Sequence, residues 1–324
     1  MTQRWSEVLS LVTYAVAPGP STVVVDGTDA EVVADTADRL AATLREAAAV
    51  RREGATIDVE GGGPRVVVWL RTSRDRHAEE AARGDHADIV VDLHDRAWPV
   101  VRHVAPHLAE HQHWYLRESR AFFGVRAATW DTKFGDDAPA YAAAVCRAGL
   151  PIGGTVLDAG CGTGRALPAL RDAVGPAGTV IGLDVTAEML DVARTRGEHL
   201  VMGDARRLPF ATGALDAIFA AGLVMHLPDA AEGLRELARA TCPGGRLVLF
   251  HPSGRARLAA RHGRTLRPDE PLAVGPLTAA CEASGWALTD YDDGEDRFFA
   301  LAVRHARPRE TPRPAPQAEH GVKS

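Results

Sequence analysis

Residues 156–165 read VLDAGCGTGR, and this stretch constrains the chain more than any other. Two apolar residues lead into Asp158, after which Gly160, Gly162 and Gly164 alternate with Cys161 and Thr163. An apolar strand running into a glycine-rich turn lets backbone approach a ligand closely, because glycine lacks a side chain and accepts positive φ. The spacing is G-x-G-x-G. It is neither the G-x-G-x-x-G of dinucleotide binders nor the G-x-x-x-x-G-K-[ST] of phosphate-binding loops. The carboxylate ahead of the glycines favours a cationic or amine-bearing ligand over a pyrophosphate.

Beyond this loop the chain alternates regularly. TVIGLDVT is an apolar strand ending in Asp184, and HLVMGDARRLPF carries a short strand up to Asp204. LDAIFAAGLVMHLPD (215–229) supplies a fourth strand and PGGRLVLFHP (243–252) a fifth. Helical patterns at 186–197 and 229–241 fill the gaps. Strands alternating with helices of this length imply a parallel, doubly wound sheet. Right-handed crossovers then place Gly160, Asp184 and Asp204 on one edge of it.

The motifs in this order resemble those of the small-molecule branch of class I S-adenosylmethionine-dependent methyltransferases, over about 121–305. The resemblance implies an α/β fold with a Rossmann-like seven-stranded sheet, parallel with one antiparallel strand. It implies S-adenosylmethionine as cofactor and methyl transfer to a small-molecule acceptor. Gly160 and Gly162 match the loop under the cofactor's methionine moiety. Asp158 matches the acid that orients this loop and often contacts the amino group. Asp184 matches the ribose-diol acceptor. Asp204 matches the acceptor of the adenine amine, with Ala205 donating from its backbone to the ring. The same resemblance brings Cys161, Thr163, Gly164, Val185, Arg206 and Ala221 into the cofactor-binding set. Met189 is either the apolar residue packed on adenine or a plain core methionine.

Residues 1–104 form a different unit, also α/β in pattern. Strand candidates are Val23–Val25, 65–72 and 87–95, with a helix read from Glu31 through Ala49. The stretch from Asp26 to Ala34 resembles the D-G-x-D-G-x-G-K-[ST] loop of P-loop nucleoside kinases. Asp26, Gly27 and Asp29 match, but Ala30, Val32, Val33 and Ala34 stand where glycine, lysine and hydroxyl residues are needed. A loop without those groups cannot wrap a phosphate or hold Mg²⁺, and Glu31 repels a triphosphate. The unit is therefore expected to be a degenerate P-loop-like domain without nucleotide binding. Docking, homodimer formation and shaping of the neighbouring pocket are roles left to it. Residues 105–120 read as a connecting helix, and 306–324, rich in Pro, Arg and Glu, as a disordered tail. His103, His107 and His111 recur every four residues with His113 beyond. On one helix they would share a face able to bind zinc. Pro106 interrupts that helix, and a solvated connector with no metal is the preferred reading.

Methyl transfer asks the protein to align a nucleophile and, for an alcohol or amine, to remove its proton. Two histidines fall at the carboxyl ends of the fourth and fifth strands, His226 and His251, and both are candidate bases. His226 has a plain alternative as a helix-entry residue. The arginines at 255, 257, 261, 264 and 267 read either as a solvated basic helix or as a cap for an acidic acceptor, with Arg257 and Arg261 facing it. Trp130, Lys133, Phe134 and Tyr141 read either as lid contacts over the cofactor or as ordinary packing.

A net charge of −6 gives no general case for nucleic acid. No apolar run approaches the roughly 20 residues needed to cross a bilayer. The four cysteines form no C-x-x-C pair, which fits a reducing cytoplasm. Two alternatives remain. One is a nicotinamide-dependent oxidoreductase, disfavoured by the glycine spacing and Asp204. The other is a cofactor-binding regulatory or scaffold protein without turnover.

Overall fold

The computed structural model describes residues 3–16, 21–44, 48–52, 65–72, 87–93, 95–109, 113–134, 137–197, 199–261 and 266–305. Two sheets organise them. The first has the order β2-β1-β3-β4-β5, built from β1 (Ser21–Gly27), β2 (Ala48–Arg52), β3 (Arg65–Arg71), β4 (Ile89–Asp92) and β5 (Val100–Val104). All its pairings are parallel except β4 with β5. Val23, Val25, Val68, Leu70 and Ile89 face helices α1 (Gln3–Ala15) and α2 (Ala30–Thr43) in one buried cluster. Strands hydrophobic on both faces suit a sheet that is covered rather than solvated.

Several expectations about this region need correction. The stretch compared with a phosphate-binding loop is not a loop. Only Thr28 and Asp29 separate β1 from α2, and residues 30–34 are already helical. Asp29 caps the helix by accepting from Val32 N at 3.2 Å and is ion-paired with Arg96. A carboxylate thus sits at the helix N-terminus where a phosphate would need amides. The helix read through Ala49 ends at Thr43, and Ala48–Arg52 is a strand. An alanine-rich segment satisfies helix periodicity, but pairing with β1 overrides that weak local preference. His103 and His107 do not share a helix either. His103 is on β5 and His107 on a 3-10 turn, Pro106–Leu108. His111 and the tail 306–324 lie outside the described residues.

The second sheet has seven strands in the order β11-β12-β10-β9-β6-β7-β8. They are β6 (Thr155–Ala159), β7 (Thr179–Asp184), β8 (His199–Met202), β9 (Leu215–Ala221), β10 (Thr241–His251), β11 (Trp286–Asp293) and β12 (Phe298–Arg304). Only β12 runs against its neighbours. One face buries Leu157, Ile218 and Leu249 against α8 (Ala230–Ala240) and α10 (Val274–Ala283). The other buries Val156, Phe219, Val248 and Phe299 against α5 (Ala138–Ala148) and α6 (Leu167–Val174). The chain leaves β6 towards β7 on one side and returns at β9 on the other. That reversal opens a crevice at the carboxyl ends of β6 and β9, where ligands bind in sheets of this type.

Helix α3 (His113–Gly124) joins the two sheets, crossing the boundary expected at 120/121. Trp114 packs on the first core. Buried Glu118 is ion-paired with Arg4 of α1 and accepts from Val101 N of β5 at 2.6 Å. Further along, Arg120 Nε donates to Val185 O at 2.8 Å, beside the end of β7. The same short helix is thus fixed from both sides.

Candidate active site

The glycine loop follows β6. Gly160, Gly162 and Gly164 have φ of 71°, 54° and 81°, a region that side chains rarely enter. The amides of Gly160 and Cys161 donate to Leu183 O at 2.8 and 3.0 Å, which anchors the loop on β7. At Gly164 a Cβ would meet Leu167 and Ala193 at 2.8 and 3.1 Å, so helices pack here only on glycine. At Gly162 it would meet nothing within 4 Å, so that position faces open space. Gly160 lies against Leu223, just past β9, so the loop reaches the crevice between β6 and β9.

Two carboxylates frame the loop. Asp158 is 1% exposed, and its Oδ2 has no hydrogen-bond partner among the described residues. Burial, reinforced by the charge of Asp184, pushes its pKa up to about 8. Asp184 accepts from Gly162 N at 2.9 Å and from Thr186 N at 2.8 Å. Burial raises its pKa while those amides oppose the rise. Neither carboxylate has a cationic partner among the described residues, and buried charge without a partner is unfavourable. A cationic group beside them would supply the missing counter-charge.

Asp204 follows β8 in a different state. Arg206 Nε and Nη2 grip its carboxylate at 2.9–3.2 Å, and the Arg206 amide adds a bond at 2.9 Å. The guanidinium lies over the Tyr115 ring of α3, 4.6 Å from its centroid. A carboxylate offers about four lone-pair directions, and Arg206 uses four contacts here. An adenine amine would have to displace part of that grip.

The segment before β6 is tied down onto the loop. Asp131, in α4 (Trp130–Phe134), accepts from Thr163 Oγ1 at 2.7 Å and pairs with Arg196 at 2.7 Å. Arg165 pairs with Asp137, and Arg196 also donates to Thr163 O at 2.9 Å. Trp130 stacks edge-on against Phe123 with centroids 5.5 Å apart.

Residues 157–249 match the family model described as a methyltransferase domain. That segment is a methyltransferase domain. A demethylmenaquinone methyltransferase from Bacillus licheniformis is 37% identical over 109 residues, which is 32% of this chain and 47% of that protein. A 2-phytyl-1,4-naphtoquinone methyltransferase from Thermosynechococcus vestitus is 38% identical over 111 residues, 32% of this chain and 49% of that protein. The chain thus spans about half the length of these curated relatives. A crystal structure of a SAM-dependent methyltransferase from Aquifex aeolicus, 23% identical, superposes with a TM-score of 0.46 over 56% of this chain and 98% of that one.

The methyltransferase domain has a donor set that fits its class cofactor, S-adenosylmethionine, which carries both an ammonium and a sulfonium. The unpartnered Asp158 Oδ2 and the open space beside Gly162 are what such a ligand requires. The other residues read from the sequence divide. Thr163 and Ala205 are buried, and Val185 and Ala221 lie at strand ends, half-buried. The Cys161 side chain is turned onto Gly182 of β7, so what it offers the site is backbone. Met189, 1% exposed in α7 (Ala187–Ala193), has no face left for adenine and is a core residue. Tyr141 is not a lid contact. Its ring packs with Phe250 and Phe219 at 5.1 and 6.3 Å inside the domain, because α5 directs it into the sheet. The side chains of Lys133 and Phe134 are outside the described set.

His251 ends β10. Its Nδ1 is within 3.0 Å of Ser253 O and 3.1 Å of Ser253 N, and its Cδ2 lies near Gly222, just past β9. With Nδ1 protonated towards Ser253 O, Nε2 keeps the free lone pair of a base. Burial holds its pKa below the usual histidine value, and Arg261 adds to that. His226, on the 3-10 turn Val224–His226, differs. Arg102 Nη2 of β5 donates to its Nδ1 at 2.8 Å. Its basic nitrogen is thereby occupied, and Nε2 becomes a donor.

The arginine run is largely self-satisfied rather than an open anion cap. Arg255 is 8% exposed and bonds to Asp293, Glu270 and Tyr291, fastening α9 (Arg255–Arg261) to β11. Arg257 pairs with Asp296 and Arg267 with Asp269. Arg261 is exposed and Arg264 lies outside the described residues. Sequence spacing could not reveal these partners, which are brought in by the β11–β12 hairpin and by the turn before α10. Arg255→Ala should lower stability by about 3 kcal/mol, since it leaves two partly buried carboxylates unpaired. Chemical denaturation would measure this. An unchanged midpoint would mean the network carries no weight.

Proposed function

We propose that the whole chain is an S-adenosylmethionine-dependent methyltransferase acting on a small molecule, with an acidic acceptor as the finer reading. The pair of carboxylates without a cationic partner among the described residues, set around a positive-φ glycine loop, carries this reading. A dinucleotide's pyrophosphate would meet Asp158 and Asp184 as like charges, whereas a sulfonium amino acid meets them as counter-ions. The matched quinone-related methyltransferases support a small acceptor. The cofactor supplies an activated methyl on sulfur. The acceptor's lone pair would take that methyl group, and His251 Nε2 or water would take the acceptor's proton. Asp158 and the loop orient the donor, and the segment tied through Asp131 and Arg165 excludes water.

A reducing, cytoplasmic setting belongs to the same reading. All four cysteines are free, and among the described residues no helix is long and apolar enough to cross a membrane.

Calorimetry with S-adenosylmethionine, S-adenosylhomocysteine and NAD⁺ tests the cofactor directly. The first two should bind in the micromolar range and NAD⁺ far more weakly. Asp184→Ala should cost roughly 1.5–3 kcal/mol of cofactor binding, about tenfold to a hundredfold in affinity. The upper end is expected because the same carboxylate holds the Gly162 amide. Unchanged affinity would move the ribose contact away from β7. Methyl-labelled cofactor incubated with fractionated extract, followed by mass spectrometry, would identify the acceptor.

A further inference from the structure

A cavity of about 160 Å³ lies between the two sheets. Its walls come from β5 of the first sheet, from α3, and from the turn after β9 of the methyltransferase domain. Neither the glycine loop, nor Asp158, Asp184 or His251, lines it. A ligand held there does not touch the cofactor's methyl group or the candidate base, so the cavity has no place for the reacting acceptor.

Its charge is one-sided. Arg102 of β5 lies 4.3 Å from the Phe122 centroid, and Arg126 lies 4.1 Å from the same ring. Arg71 of β3 adds a third cation that repels Arg102. The carboxylate that favours the charged form of Arg102 is Asp92, which Arg71 holds at 2.6 Å. Glu118, on the cavity wall, is satisfied by Arg4 and Val101 N. Arg102 Nη2 donates to His226 Nδ1 at 2.8 Å. Among the described residues its Nε and Nη1 have no hydrogen-bond partner, and neither is sealed off from the cavity or solvent. Burial, then repulsion from Arg71, lowers its pKa to about 10, so it stays charged at neutral pH. A desolvated guanidinium with unused N–H groups suits a planar carboxylate, which it can bind through two parallel bonds. Trp114, another wall residue, has a buried Nε1 with no hydrogen-bond partner among the described residues. Tyr115, Met225 and Leu227 complete an apolar and aromatic wall. An engineered apolar cavity of about 150 Å³ holds one benzene ring.

The cavity walls are also the supports of the cofactor crevice. Tyr115 of α3 carries the Arg206 guanidinium that grips Asp204. Arg120 of the same helix donates to Val185 O beside Asp184. The turn after β9 continues from Leu223, which lies on Gly160. A ligand that ties β5, α3 and this turn together braces the strand ends and the loop on which the cofactor would rest. We propose that this cavity is an effector site for a small aromatic carboxylate, that Arg102 binds its carboxylate group, and that its occupancy tightens cofactor binding in the neighbouring crevice. The effect on the cofactor rests on the methyltransferase reading above; the binding itself does not. The first sheet thereby gains a function, since it brings to the methyltransferase domain a charge that reads a second small molecule.

The test uses the full chain and three probes: benzoate, its neutral analogue benzamide, and inorganic phosphate. Each is titrated calorimetrically with and without saturating S-adenosylhomocysteine. Benzoate should bind about tenfold tighter, or more, than benzamide and than phosphate. It should bind the S-adenosylhomocysteine complex about fivefold tighter than the free protein, and S-adenosylhomocysteine should gain the same factor from benzoate. Arg102→Gln should erase the difference between benzoate and benzamide, and Arg102→Lys should restore part of it. Leu227→Trp, which fills the cavity, should abolish binding of both aromatic probes, and it decides the matter if Arg102→Gln does not fold. Equal binding of benzoate and benzamide, equal binding of phosphate, or benzoate binding untouched by Leu227→Trp would each overturn the proposal. So would displacement of benzoate by S-adenosylhomocysteine, which would put the probe in the crevice, or simultaneous binding with no change in either affinity. If S-adenosylhomocysteine does not bind the wild type while benzoate binding depends on Arg102, the carboxylate site stands and the methyltransferase reading falls. If S-adenosylhomocysteine binds and benzoate does not, the effector proposal alone falls.

Discussion

His251→Ala is expected to lower kcat by about 10²–10⁴, the usual contribution of a positioned general base, with cofactor affinity nearly unchanged. The expectation comes from where β10 ends. The strand is locked between β9 and β12, so its last residue is delivered rigidly to the edge beside Gly222. In the tautomer whose Nδ1 donates to Ser253 O, Nε2 is the base; in the other, Nδ1 accepts from Ser253 N. Because burial depresses the pKa of His251, the ring is neutral at pH 7 and ready to accept a proton. The acid limb of the kcat profile should accordingly lie below the ordinary histidine value of about 6.5. His226 provides the contrast. Its Nδ1 is held by Arg102, so His226→Ala should raise KM for the acceptor more than it lowers kcat. Single-turnover methyl transfer at several pH values separates the two. If His226→Ala abolishes turnover and His251→Ala is silent, the base belongs to the strand end of β9. If neither matters, the acceptor is a thiolate or an activated carbon that needs no protein base.

The methyltransferase half of the fold is legible in the sequence because its signals are local. The G-x-G-x-G turn, the acids closing β7 and β8, and the apolar strand runs each need only a few neighbouring residues to be read. The seven-stranded order then comes from right-handed crossovers. The features that escape a reading of the sequence depend on residues distant in the chain. Arg255 looks like one of five solvent-facing arginines until the fold brings Asp293 of β11 and Glu270 against it. Tyr141 looks like a lid residue until α5 docks on the sheet. Asp204 is in the expected place, yet its neighbour Arg206 closes it, a rotamer choice that spacing does not specify. In the first unit, Ala48–Arg52 has helix-like composition, and only pairing with β1 makes it a strand. Arg102 gives no local signal at all. In the sequence it is one arginine among many beside a run of histidines, and its importance lies in being buried between two sheets with no carboxylate paired to it among the described residues.

Asp158→Asn should make the protein without ligand more stable while weakening cofactor binding by about a hundredfold, or roughly 2.7 kcal/mol. The two effects have one cause. Asp158 is enclosed, lies near a second carboxylate and has an orphaned oxygen, so its pKa is raised from 3.8 to about 8. The folded state therefore holds a proton that the unfolded chain releases between those two values. Stability from this group is fully present below pH 3.8 and is lost as pH rises towards 8. Asparagine has the same shape and no charge to lose. The variant's gain in stability should thus be near zero at pH 4 and reach about 2 kcal/mol or more at pH 8. A cationic ligand reverses the preference by favouring the ionised carboxylate. Binding to the wild type should then expel a proton, and affinity should climb between pH 6 and 8 before levelling. Calorimetry in two buffers of different ionisation enthalpy would count that proton, with none released by Asp158→Asn. A variant with wild-type affinity, or a stability difference that does not grow with pH, would remove Asp158 from the cofactor site and leave the charge on Asp184 to account for the loop's preference for a cation.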